Sequence, residues 1–120
     1  MKIVQSAALI VAALLASALP GHAQDAASSA PASLADTVAL GEPIYVRRCQ
    51  ECHGAKGGGF VGPKLSGNQR LANAEFVIRQ ITNGSADMPA FGKRLTPEEL
   101  RAVVTYVRNS WDNSYGAFAE

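Results

Sequence analysis

The chain has 120 residues, 11 Lys plus Arg against 10 Asp plus Glu, 48% hydrophobic and 7% aromatic residues. A formal charge of +1 provides no basic footprint for nucleic acid. Two cysteines, two histidines and two methionines leave few soft donors, so any metal chemistry must come from a small set of side chains.

Lys2, the apolar run Ala7 to Ala16 and the small residues ending at Gly21-His22-Ala23 have the layout of a secretory signal peptide over 1–23, cleaved after Ala23. A retained anchor is the competing reading. A spanning helix needs about 20 mostly apolar residues, whereas Gln5, Ser6 and Ser17 interrupt this stretch. With the leader and its Lys2 removed, ten basic side chains face ten acidic ones, and the expected compartment is the periplasm. Gln24 to Ser33 are mostly Ala, Ser and Pro, so 24–35 is expected to be a flexible linker. The folded unit is then expected to start at Asp36 and to hold roughly 80 residues, a size at which an all-protein core is marginal.

A first short helix is expected from Glu42 to Cys49, with Pro43 tolerable only in its opening turn. It leads into Cys49-Gln50-Glu51-Cys52-His53, the spacing of c-type haem attachment. Each thiol can form a thioether to a haem vinyl group, and His53 is placed to reach the iron from the proximal side. A structural zinc site closes four nitrogen or sulfur positions, but the other histidine, His22, lies in the expected leader. A thioredoxin-like dithiol belongs near a βαβ pattern, and no strand-like alternation flanks Cys49. A buried porphyrin would also supply the core that so small a domain lacks.

Glycine-rich loops follow over Gly54–Gly67 and Gly84–Gly92, where backbone can pass close to a flat ligand. Between them a helix is predicted over Ala74–Asn83, with Asn73 as cap, Val77, Ile78 and Ile81 on one face, and Gly84 as the stop. The second loop carries Met88. Met1 leaves with the leader, so Met88 is the sole thioether remaining. On the residues alone it is either a core filler or, from its Gly/Pro turn outside the helical stripes, a sulfur presented to the haem. A last helix is predicted over Pro97–Asn109. Thr96 and Glu99 form a capping box, Pro97 takes the first helical position, and Leu100, Val103, Val104 and Val107 lie on one face.

These residues, from Thr37 to Trp111, resemble the class I cytochromes c, more closely their small bacterial monohaem members. The resemblance implies an all-α cytochrome c fold over 36–111, with three main helices and Gly-rich loops wrapped around one covalently attached haem c, and a tail over 112–120. It implies Cys49 and Cys52 as thioether sites and His53 and Met88 as axial ligands. Gly62-Pro63-Lys64-Leu65 matches the segment after the attachment site, where the carbonyl of Pro63 would accept a hydrogen bond from His53. Gly41 and Tyr45 look like the small-plus-aromatic pair that packs on the last helix at Val103 and Tyr106. The short connection from Leu65 to Met88, with one helix, would leave a haem edge more exposed. The tail, with Trp111, Tyr115 and Phe118, weakly resembles the ends of haem domains associated with periplasmic dehydrogenases and oxidases; it is otherwise a frayed terminus partly packed on the body.

The function implied is electron transfer rather than catalysis. The partners would be a redox donor and acceptor, such as a periplasmic or membrane dehydrogenase and an oxidase or reductase. A dedicated haem subunit of such a complex is the alternative. A haem sensor or peroxidase-like catalyst would need Met88 to leave the iron, and no second histidine remains as a distal acid or base. Lys56, Lys64, Lys93 and Arg94 all fall on the haem-wrapping loops, either as a rim that steers acidic partners or as solvated loop charges.

Overall fold

The structure is a computed structural model and describes residues 33–118. The expected leader, and the expected linker as far as residue 32, lie outside the described residues. Four α-helices and one 3₁₀ turn, with no strand among the described residues, make up the fold: α1 Leu34–Arg48, α2 Gln50–His53, the 3₁₀ turn Gln69–Ala72, α3 Ala74–Asn83 and α4 Pro97–Asn109. None of the described helices is long and apolar enough to cross a membrane.

Helices α3 and α4 occupy the residues their sequence signals predict. The Asn73 side chain accepts from the Phe76 N–H at 2.9 Å. At α4, the Glu99 N–H donates to Thr96 Oγ1 at 3.2 Å while the Thr96 N–H donates to Glu99 Oε2 at 2.9 Å, so two otherwise orphaned donors are satisfied reciprocally.

Helix α1 departs from expectation. It begins at Leu34, eight residues before Glu42 and within the expected linker, and Pro43 lies in its interior. A capping box missed in the Ala/Ser/Pro stretch starts it: Ser33 Oγ accepts from the Asp36 N–H at 3.1 Å, and Asp36 Oδ2 accepts from the Ser33 N–H at 3.3 Å. An interior proline costs ~3 kcal/mol through the missing donor and ring clash. Burial of Gly41, Ile44 and Tyr45 against the rest of the molecule offsets that cost, a tertiary override of local propensity. The helix delivers Cys49 as expected. Cys49, at φ −123°, closes α1, and the motif forms its own short turn, α2.

The core is built where α1 crosses α4. Tyr45, Val103 and Val104 are fully buried, and every residue from Ala102 to Arg108 is buried. Helix α4 is thus covered on all sides over two turns, as a helix at the centre of a domain must be. Gly41 makes the close crossing possible. A Cβ there would overlap the carbonyl oxygen of Ala102 and come within 2.5 Å of Tyr106 Cβ. Tyr45 stacks against Tyr106 with ring centroids 5.4 Å apart, so the expected receiving role of Tyr106 is met, with Ala102 as the residue nearest Gly41. Val77, Ile81, Leu71 and Phe91 complete the apolar cluster.

The segment after α4, expected either to dock a partner or to be a terminus partly packed on the body, is tied to the body as far as residue 118. Arg108 donates to the carbonyls of Leu71, Ala72, Tyr115 and Gly116 at 2.9–3.3 Å. Trp111 packs edge-on to Tyr45 and Tyr106 at 5.0 and 5.5 Å.

At Gly41, replacement by Ala improves helix propensity by ~1 kcal/mol but drives a methyl into a backbone carbonyl that cannot step aside. We expect a net loss of about 2 kcal/mol, or roughly 8–16 °C in Tm for a domain of this size. Thermal unfolding of the purified protein checks this; an unchanged or raised Tm would contradict the crossing described.

Candidate haem site

Helix α1 and the turn α2 present Cys49, Cys52 and His53 within five residues. The Cys49 N–H donates to the Tyr45 carbonyl at 2.8 Å, and the Cys49 carbonyl accepts from Cys52 and His53 N–H at 3.2 and 2.9 Å. The three donor side chains therefore leave one rigid turn. Burial, reinforced by the adjacent Cys52, pushes the Cys49 thiol up from 9.0 to about 11. Among the described residues no cluster of three or more His, Cys, Asp or Glu side chains could hold a metal ion, which leaves a four-ligand zinc site short of donors.

His53 is 8% exposed, and its Nδ1 lies 2.9 Å from the Pro63 carbonyl oxygen. A carbonyl only accepts, so Nδ1 carries the proton and Nε2 keeps its lone pair for a metal. The donor set thus fits a haem whose iron takes an imidazole nitrogen. The loop returns to the motif closely: the Gly62 N–H donates to the Cys52 carbonyl and the Gly59 N–H to the His53 carbonyl, both at 2.8 Å. A Cβ on Gly62 would fall 2.9 Å from His53 Cε1, so this position admits no side chain without moving the imidazole.

Met88 lies on the other Gly-rich loop, half-buried, and like Cys49 it packs at the edge of the apolar core cluster. It is the only methionine among the described residues. Gln80 Nε2 donates to its sulfur at 3.6 Å. Sequence reasoning passed over Gln80, although a polar residue three places after Val77, on the buried stripe of α3, was the available signal. Thr82, whose carbonyl accepts from the Gly92 N–H of the Met88 loop at 3.1 Å, has its Oγ1 buried without a hydrogen-bond partner among the described residues. Such a group in a native fold calls for a partner. Lys56, Lys64, Lys93 and Arg94 are exposed, and Arg94 lies 5.7 Å from the ring centre of Phe91. Tyr45 links helix to motif through its hydroxyl, which donates to the Gly54 carbonyl at 2.6 Å. Burial first, then the Cys49 thiol, pushes this phenol up to about 12.

Comparisons with known proteins identify the family. The family model described as "Cytochrome C oxidase, cbb3-type, subunit III" matches residues 36–107. The chain is 37% identical over 83 residues to cytochrome c6 of Rippkaea orientalis, covering 64% of this chain and 74% of that protein. Among solved structures, the c-type cytochrome KustC0563 is 30% identical with a TM-score of 0.54, over 62% of this chain and 98% of that one. Cytochrome cL of Methylophaga aminisulfidivorans is 25% identical with a TM-score of 0.55, over 62% of this chain. The chain spans about half of that cytochrome cL, 53% of its length. The protein therefore belongs to the c-type cytochromes, within the small class I group. It carries covalently bound haem c, the sequence Cys49-Gln50-Glu51-Cys52-His53 fits the attachment motif, and it is an electron carrier that works with redox partners.

The Tyr45 phenol yields a pH prediction. Its folded pKa of about 12 lies above the ordinary 10.0. Between those values the unfolded chain releases the proton while the folded chain retains it, so stability falls as pH rises through this window. In an ultraviolet phenolate titration of the holoprotein, where Cys49 as a thioether carries no charge and burial remains the largest cause raising the phenol, the difference between wild type and Tyr45→Phe should show one tyrosine ionising clearly above the ordinary 10.0. A difference titrating near pH 10 would contradict a buried, bonded phenol.

Proposed function

We propose that this cytochrome is a periplasmic one-electron carrier of the respiratory chain in which His53 and Met88 take the two axial positions of a haem held by Cys49 and Cys52. The leader over 1–23 would deliver it to that compartment. The observation that carries the reading is the bond from His53 Nδ1 to the Pro63 carbonyl, which fixes the tautomer and orientation an axial imidazole needs.

Bound haem c supplies a one-electron ferric–ferrous couple. The chain's residues do the rest. With haem bound, Met88 would supply a weak thioether donor that raises the reduction potential, and the neighbouring apolar cluster would act in the same direction. Pro63 holds His53 in one orientation through both redox states, so little rearrangement accompanies each transfer. With His53 and Met88 both holding the iron, the site would have no place for a reactant, which favours carriage over catalysis. The partners are then a dehydrogenase on one side and an oxidase or reductase on the other, met through small transient interfaces.

A second reading, a dedicated haem subunit of a dehydrogenase or oxidase, draws support from the oxidase subunit named in the matching family model. The aromatic tail does not favour it: Trp111 packs against Tyr45 and Tyr106 rather than standing free for a partner.

Replacing Met88 by Ala should open the iron to added imidazole or carbon monoxide and lower the reduction potential, both read optically on purified holoprotein. An unchanged spectrum and potential would show that another residue holds that position. If the exposed Lys56, Lys64, Lys93 and Arg94 steer an acidic partner, the second-order electron transfer rate should fall at least severalfold as ionic strength rises from about 0.01 to 0.15 M, where the screening length shrinks from 30 to 8 Å. A rate independent of salt would reduce these residues to solvated loop charges.

A further inference from the structure

Three consecutive residues past α4 hold the loop that carries Pro63. Trp111 covers Gly57, where a Cβ would fall 2.5 Å from the indole Cζ3. Asp112 Oδ2 accepts from the Ser66 hydroxyl at 2.7 Å. Asn113, 4% exposed, accepts from the Asn68 N–H at 3.1 Å and donates to the carbonyls of Leu65 and Val107 at 2.9 and 2.8 Å. One amide thus joins the loop to the end of α4 with both its N–H groups and its carbonyl engaged.

Trp111 adopts φ 59°, the one positive φ at a non-glycine residue among those described. A bulky side chain in the left-handed region is an outlier that the surroundings must enforce. Here the turn brings the Trp111 ring and the Asn113 side chain onto the same loop, while Tyr45 and Tyr106 brace the ring through edge-on contacts.

Residues 57–68 have little regular structure of their own before the 3₁₀ turn, yet Pro63 must keep its carbonyl 2.9 Å from His53 Nδ1. We propose that Trp111, Asp112 and Asn113 form a strap that positions the proximal histidine through this loop, with Asn113 as the principal positioning residue. The inference deepens the functional reading above and rests on His53 being an axial ligand. Leu65 and Asn68, the residues Asn113 grips, follow Pro63 by two and five positions, so the strap acts on the loop just beyond the carbonyl. Arg108 provides an internal control. It ties the same terminal segment to Leu71 and Ala72, and none of its bonds reaches 57–68.

The test uses ferrous holoprotein and two readouts: hydrogen exchange of the His53 Nδ1–H by NMR, and the reduction potential. In Asn113→Ala, measured well below its Tm, the ring N–H should exchange at least tenfold faster than in wild type, with a shifted potential. Arg108→Met should lower the Tm while leaving exchange and potential at wild-type values. Wild-type exchange and potential in Asn113→Ala would overturn the proposal and leave Asn113 a packing residue; so would equal acceleration in Arg108→Met. If Asn113→Ala does not accumulate as holoprotein, Asp112→Ala, which removes an exposed bond to the same loop, should give a smaller acceleration in the same sense, and none would overturn the strap. Failure of the underlying reading is separately visible: wild-type protein would then show no haem-shifted His53 ring N–H.

Discussion

The hydrogen bond from His53 Nδ1 to the Pro63 carbonyl is the constraint on which the rest of the site depends. An imidazole on a short turn such as α2 can rotate and can carry its proton on either nitrogen. A single acceptor 2.9 Å from Nδ1 removes both freedoms and leaves Nε2 as the nitrogen with a lone pair. The rest of the proximal loop answers to that requirement. Gly62 allows backbone to pass against the ring, and Gly59 and Gly62 bond back to the motif.

The crossing of α1 on α4 converts this local geometry into a stable one. Gly41 lets the helices approach, and Tyr45 then stands between the crossing and the motif, stacking on Tyr106 and bonding to Gly54. A single buried ring thus connects the core to the residue that follows His53. A domain this small has little apolar surface to bury, and the covalently bound haem adds what the polypeptide alone does not supply. Core packing and cofactor attachment are therefore one structural problem in this chain.

What the sequence made legible follows from locality. Helices α3 and α4 could be read because Asn73, Thr96, Pro97, Glu99 and Gly84 act within a few residues of themselves, and Cys49-Gln50-Glu51-Cys52-His53 carries its chemistry in its spacing. The extent of α1 could not be read. Pro43 argues against an interior turn, and the apolar contacts that outweigh it come from α4, sixty residues away. The Ser33–Asp36 cap was hidden in a stretch whose composition resembles a linker. The roles of Arg108 and Asn113 were equally out of reach, since both are polar residues whose bonds run to distant carbonyls and whose burial no periodicity announces. Gln80 lies between these cases: its place on the apolar stripe of α3 was visible, but its partner Met88 belongs to another loop.

The central claim is an iron closed on both sides by protein donors, proposed as His53 and Met88. The most direct test is the electronic spectrum of the oxidised, purified wild-type protein. A low-spin pattern with the weak long-wavelength band of methionine-to-iron charge transfer is the expected result. High-spin bands, or rapid carbon monoxide binding after reduction, would contradict a closed site and return the chain to the sensor or catalyst reading.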